Sequence, residues 1–75
     1  MLLDAAADIN RENSSGYTPL YVAARYGHVE VMRVLLDLEA EVNRAAPNGA
    51  TPLWAARYYK HDLAALMLLE TGGLG

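Results

Sequence analysis

An all-α array of stacked helix-turn-helix units is the fold class this sequence predicts, on three observations. First, the chain says nearly the same thing twice: GYTPLYVAA starts at Gly16 and GATPLWAAR at Gly49, 33 positions on. Laid over one another without a gap, 16–38 and 49–71 share nine identities, among them Thr18/Thr51, Pro19/Pro52, Ala23/Ala56, Tyr26/Tyr59, His28/His61 and Leu35/Leu68. A fixed period of this size marks supersecondary units stacked side by side. Second, each copy carries Thr-Pro immediately before an apolar stretch, which reads as a helix start. Third, compact turn sequences separate the apolar stretches, so neighbouring helices lie against each other.

The elements follow in order. Met1–Asn10 reads as the back end of a unit, because the same offset brings LLDAAADIN (Leu2–Asn10) onto LLDLEAEVN (Leu35–Asn43). In NSSG, Asn13 and Gly16 occupy the first and fourth positions of a type I turn. Thr18 is the N-cap of the next helix, its hydroxyl accepting a helix-start N–H. Pro19 follows at the first helical position, where a missing N–H costs nothing. Leu20, Ala23 and Ala24 make a short helix with a face of small residues, and Gly27 supplies the positive φ that ends it. A second helix covers Val29–Leu38. The third stretch repeats the plan: a Pro47–Gly49 turn, the Thr51 cap, Pro52, Leu53 and Ala56, then a helix rich in leucine. A two-helix unit cannot bury its apolar faces alone, so each unit needs a neighbour.

Composition sets limits on function. A chain of 75 residues makes at most one small domain. With no cysteine it has neither disulfide nor thiolate site, which favours a reducing, intracellular and cytoplasmic setting. No apolar run approaches the length of a membrane span, and Asp4 and Asp8 interrupt an N-terminus that lacks the basic region of a signal peptide. A net charge of −3 argues against nucleic acid, whose phosphates call for a basic excess. Neither a phosphate-binding glycine loop nor a nucleophile elbow is present, and Ser14 and Ser15 have no histidine nearby to act as base. The sequence therefore predicts no catalytic residue and no cofactor. His28 and His61 align, but two imidazoles without a third ligand do not complete a zinc site. They read as ties between units through ring hydrogen bonds, and no metal is expected.

The run G-Y-T-P-L-Y-V-A-A-R-Y-G-H-V-E-V-M-R-V-L-L followed by A-E-V-N resembles the ankyrin repeat. The resemblance divides the chain into a partial repeat over 1–10, a repeat over 11–43 and a degenerate or terminal repeat over 44–75. Together these form a single array with short connecting loops or β-turn fingers. Several positions depart from the family pattern. Tyr21 and Trp54 stand where it has a histidine, Lys60 where it has the turn glycine, Glu39 and Ala6 where another glycine opens a loop, and Arg57 where it has the second alanine of a pair. Lys60 in the left-handed conformation costs about 1–2 kcal/mol.

What the resemblance implies about function is protein binding through a concave surface of fingers and first helices. Carried over residue by residue, Tyr17, Asn48 and Ala50 match finger positions, and Arg25, Tyr26, Tyr58 and Tyr59 match variable first-helix positions. Tyrosine joins an apolar body to a polar tip and is enriched at interface hot spots. Because Tyr26 and Tyr59 align, two rings in register could grip a partner side chain between them. Tyr21 and Trp54 are expected to fill core volume. Arg11 and Arg44 read as a solvated edge or as a basic ladder toward acidic groups, and Asn10 and Asn43 as loop residues that bond backbone, each also a hydroxylation candidate by resemblance. The partner is another protein; a membrane and nucleic acid are not expected. The other reading is a structural spacer, or a fragment of a longer array with flanking ankyrin repeats, suggested by the incomplete first unit and by Leu63, Leu66, Met67, Leu68 and Leu69, which stay apolar near the end.

Overall fold

The computed structural model describes residues 9–73. It contains two helix pairs: α1 (Pro19–Tyr26) with α2 (Val29–Asp37), and α3 (Pro52–Tyr58) with α4 (Asp62–Glu70). No strand occurs among the described residues. The expectations for positions 1–8, including Ala6 in place of a glycine, lie outside them.

The helix starts are as the sequence predicts. Thr18 Oγ1 accepts from Tyr21 N and Thr51 Oγ1 from Trp54 N, both at 3.2 Å, with the caps in extended backbone and proline next in line. The fingers form as well. Gly16 N donates to Asn13 O at 2.9 Å and Gly49 N to Ala46 O at 2.8 Å, closing equivalent turns. Asn13 Oδ1 accepts from Ser15 N and Tyr17 N, whereas in the second finger Asn48 Oδ1 accepts from Ala50 N.

The two units then stack, α1 on α3 and α2 on α4. Alanine makes this close approach possible: Ala23, Ala24, Ala55, Ala56 and Ala64 are buried along the seam, where Leu20, Met32, Leu53 and Leu68 fill the volume between helices. Tyr21 reaches across from α1 into a seat formed by Ala46, Ala50 and Ala55. Two asparagines span units rather than closing their own loops: Asn10 Oδ1 accepts from Glu41 N at 2.9 Å, and Asn43 Nδ2 donates to Gly72 O at 3.2 Å. Each clasps the loop one unit further along.

The turn closing each pair carries a left-handed residue, Gly27 at φ 71° and Lys60 at φ 64°. Glu39 (φ 66°) and Gly72 (φ 95°) are likewise equivalent. Lysine and glutamate thus hold a conformation that glycine adopts without strain. At Gly27 a second constraint applies, because a Cβ there would lie 2.5 Å from His61 Nδ1. The expected ring hydrogen bonds do not form. Among the described residues neither the His28 ring nor the His61 ring has a hydrogen-bond partner; His61 ties the units by packing on Gly27, and His28 stacks against Tyr26 at 6.1 Å.

One core expectation is corrected. Tyr21 is 3% exposed, but Trp54 at the equivalent position is 39% exposed. The difference lies in the neighbouring unit: the second finger and α3 cover Tyr21, and no described residue covers Trp54 in the same way. Ala24 and Gly27, buried or packed against the next unit, likewise have Arg57 and Lys60 as counterparts, both exposed. The face of α3 turned away from α1 therefore carries an aromatic ring and two cations where α1 carries a buried ring, a methyl group and a hydrogen.

Candidate functional site

The first helices present one connected aromatic patch. Trp54 and Tyr58 stack with centroids 4.8 Å apart and planes 10° from parallel. Tyr59 meets Tyr58 edge-on at 4.9 Å, the geometry the ring quadrupole favours. The Arg25 guanidinium then lies 5.3 Å from the centre of Tyr59 and 5.5 Å from that of Tyr26, joining the rings of two units. The slot between Tyr26 and Tyr59, read from the sequence as a grip for a partner, is thus bridged by the protein's own arginine. Tyr26 and Tyr58 remain the most open of the rings, at 57% and 62% exposure.

Local sequence explains the placement. Helix α1 ends Ala-Ala-Arg-Tyr and α3 ends Ala-Ala-Arg-Tyr, with Tyr59 next in the chain, so the alanines turn inward and the larger side chains of the last turn stay outside. Arg25 and Arg57 in those last turns complement the negative helix ends. Neither helix has an acidic residue. The carboxylates of the described residues stand in the fingers, loops and second helices: Glu12, Glu30, Asp37, Glu39, Glu41, Asp62 and Glu70. This side of the molecule is cationic and aromatic on a chain of net charge −3.

The other predicted positions divide. Tyr17 is half-buried and stacks on Tyr21 at 5.0 Å, linking the first finger to the patch's underside. Asn48 is exposed, but its side-chain oxygen is engaged, accepting from Ala50 N at 3.0 Å. Ala50 is buried in the Tyr21 seat and offers no outer surface. Burial pushes the Tyr21 phenol up from its ordinary value, with Tyr17 adding to the effect and Arg25 opposing it. The basic ladder is broken at Arg44, whose Nη1 and Nη2 pair with Glu41 Oε1 at 3.0 Å and Glu12 Oε2 at 3.3 Å. Those carboxylates hold the Arg44 guanidinium above its ordinary range.

Trp54 is the member of the patch that sequence reasoning missed. Its alignment with Tyr21 pointed to the core; the signal that could have placed it outside was Arg57, one turn further along the same face. Among the described residues no group of three His, Cys, Asp or Glu side chains converges, and no helix is long and apolar enough to cross a membrane.

Paired short helices stacked at a 33-residue period, with a tight finger ahead of each pair, define a helical-repeat protein. A family model described as ankyrin repeats, three copies, matches residues 1–73, and the chain belongs to that family. Ankyrin repeats are generally protein–protein interaction modules and are typically non-enzymatic. Comparison with curated proteins gives no match.

Proposed function

We propose that the first-helix side of this array is the surface on which it binds another protein, with Tyr26, Arg25, Tyr58, Tyr59 and Trp54 at its centre and Tyr17 at its finger edge. The observation that carries this reading is the patch itself: large rings exposed yet held in fixed mutual contact, on helices without a carboxylate. Ordered aromatic side chains lose little entropy on binding and bury a large area, which is why they dominate interface energetics. Tyr26 and Tyr58 are the contact rings, and Tyr59 supports both Tyr58 and Arg25. Ala50, its N–H held by Asn48, acts from beneath by packing on Tyr21. The cysteine-free sequence supports an intracellular, cytoplasmic setting as part of the same reading.

A second reading, that the chain is a segment of a longer stack, draws on the side of α1 turned away from α3. A cavity of about 300 Å³ is lined by Arg11, Tyr17, Pro19, Val22, His28 and Val31. The equivalent positions one unit on are Arg44, Ala50, Pro52, Ala55, His61 and Ala64; four of these are buried, and Ala50 and Ala55 pack against Tyr21 of α1. A preceding first helix would occupy that cavity.

The test places a photoreactive benzoylphenylalanine at position 58, at position 31 and at position 66 on the back. Adducts to a separate protein at 58 and not at 66 support the binding surface. Adducts confined to 31 favour the longer stack, and adducts at 66 alone refute both.

A further inference from the structure

Arg25 differs from every other arginine of the described residues. Arg11, Arg33 and Arg57 are exposed, and Arg44 is neutralised by two carboxylates. Arg25 is half-buried, and among the described residues its guanidinium has neither an ion-pair nor a hydrogen-bond partner. Its guanidinium is instead positioned by two rings, Tyr26 of its own helix and Tyr59 of the next unit. Contact with ring faces satisfies the cation's electrostatics in part but uses none of its N–H donors, which lie in the plane of the guanidinium. A guanidinium so held has already lost much of its rotamer freedom, so a fork-shaped acceptor meets it at low entropic cost.

We propose that Arg25 is a carboxylate-recognition point, so that the segment bound on this face carries an aspartate or glutamate beside apolar residues. The inference rests on the protein-binding reading above and adds the chemistry of the partner to it. Three features select this occupant. Arg25 supplies five donors suited to a planar carboxylate. The exposed faces of Trp54, Tyr58 and Tyr26 on either side suit apolar side chains flanking that carboxylate. The surrounding charge is complementary, since α1 and α3 carry Arg25 and Arg57 and no acid, while the protein's carboxylates stand on other elements. On a chain of net charge −3, attraction of an acidic segment must come from this local arrangement rather than from the overall field.

Fluorescence anisotropy of the intact chain with three labelled probes tests the proposal: a short peptide of alternating glutamate and leucine, the same peptide with glutamine for glutamate, and a short oligothymidylate. The expected result is that the glutamate peptide binds at least about tenfold tighter than the glutamine peptide, one decade being about 1.4 kcal/mol. Arg25→Gln should remove that preference. Arg25→Lys, which keeps the charge but not the fork, should remove most of it, and both variants should keep a single cooperative urea transition, so that the lost preference is read in folded protein. Equal binding of the two peptides overturns the carboxylate inference, as does tighter binding of the thymidylate or no binding of either peptide up to about 1 mM. A preference that survives in Arg25→Gln overturns it too. Tyr58→Ala distinguishes the role of Arg25 from that of the surface: equal peptide affinities that both fall in Tyr58→Ala sink the role of Arg25 and keep the surface, whereas peptide affinity unaffected by Tyr58→Ala sinks the surface.

Discussion

Gly27 and Lys60 occupy the same left-handed position in successive units, yet substitution should affect them very differently. At Lys60 the change to glycine removes about 1–2 kcal/mol of backbone strain and returns about 0.4–1 kcal/mol to the entropy of the unfolded chain. The net gain is about 0.5–1 kcal/mol. At Gly27 the change to alanine adds the same strain and the same entropic offset, but it also places a Cβ 2.5 Å from His61 Nδ1. The histidine is half-buried over the glycine, so ring and backbone must both shift, at the scale of overpacking, about 1–3 kcal/mol. Gly27→Ala should therefore cost about 1.5–4 kcal/mol. Urea midpoints of Gly27→Ala, Lys60→Gly, His61→Ala and the double variant Gly27→Ala/His61→Ala separate the two contributions. The steric part appears as a coupling of about 1–3 kcal/mol, because removing the ring restores room for the methyl group. If Gly27→Ala costs no more than Lys60→Gly gains, and the double variant is simply additive, then His61 does not pack on Gly27 and the account of the seam is wrong.

Three further outcomes are expected from the same structure. Thr18→Ala and Thr51→Ala should each destabilise by about 1 kcal/mol through loss of a helix cap, with serine restoring most of it; equal midpoints for parent and alanine variants would remove the caps from the account. A unit built on 11–43 and appended after 44–75 should raise the melting temperature only when Arg57→Ala and Lys60→Gly are also introduced, since those two side chains stand where Ala24 and Gly27 meet the next unit; a gain without them would contradict this. The Tyr21 phenol is raised by burial, so its contribution is complete below the ordinary phenol value near 10.0 and is lost as pH rises through the higher folded value. Stability should fall at alkaline pH, and Tyr21→Phe should flatten that fall; an unchanged profile would show that Tyr21 does not govern it.

Most of the fold was legible because each helix start and turn is written in local chemistry. Thr18-Pro19, Thr51-Pro52 and Gly27 act on their own neighbours, and the 33-residue offset made each copy a check on the other. What the sequence misread depended on the relation between units. Asn10 and Asn43 bond backbone as expected, but across to the next unit's loop, a distance of 31 and 29 residues that local reasoning does not span. His28 and His61 align, yet only His61 has a glycine of the preceding unit to pack against among the described residues. Trp54 aligns with a core residue and is exposed, because burial at that position comes from the next unit along the stack. The proposed binding surface was legible in part: Arg25, Tyr26, Tyr58 and Tyr59 were named from the family pattern, whereas the guanidinium lodged between two rings is a three-dimensional relation that alignment does not contain.

The central claim is that the aromatic patch is a binding surface rather than a buttress of the stack. The most direct measurement pairs folding stability with affinity in Tyr26→Ala and Tyr58→Ala, using urea midpoints and the Kd for the protein that crosslinks at position 58. Both rings are more than half exposed, so the account predicts midpoints close to the parent. It also predicts affinity reduced by about 2 kcal/mol or more for a central ring, roughly thirtyfold in Kd. A loss of about 3 kcal/mol in stability, the scale of a large-to-small core truncation, with Kd unchanged in the folded fraction, would contradict the claim and return these tyrosines to the interior.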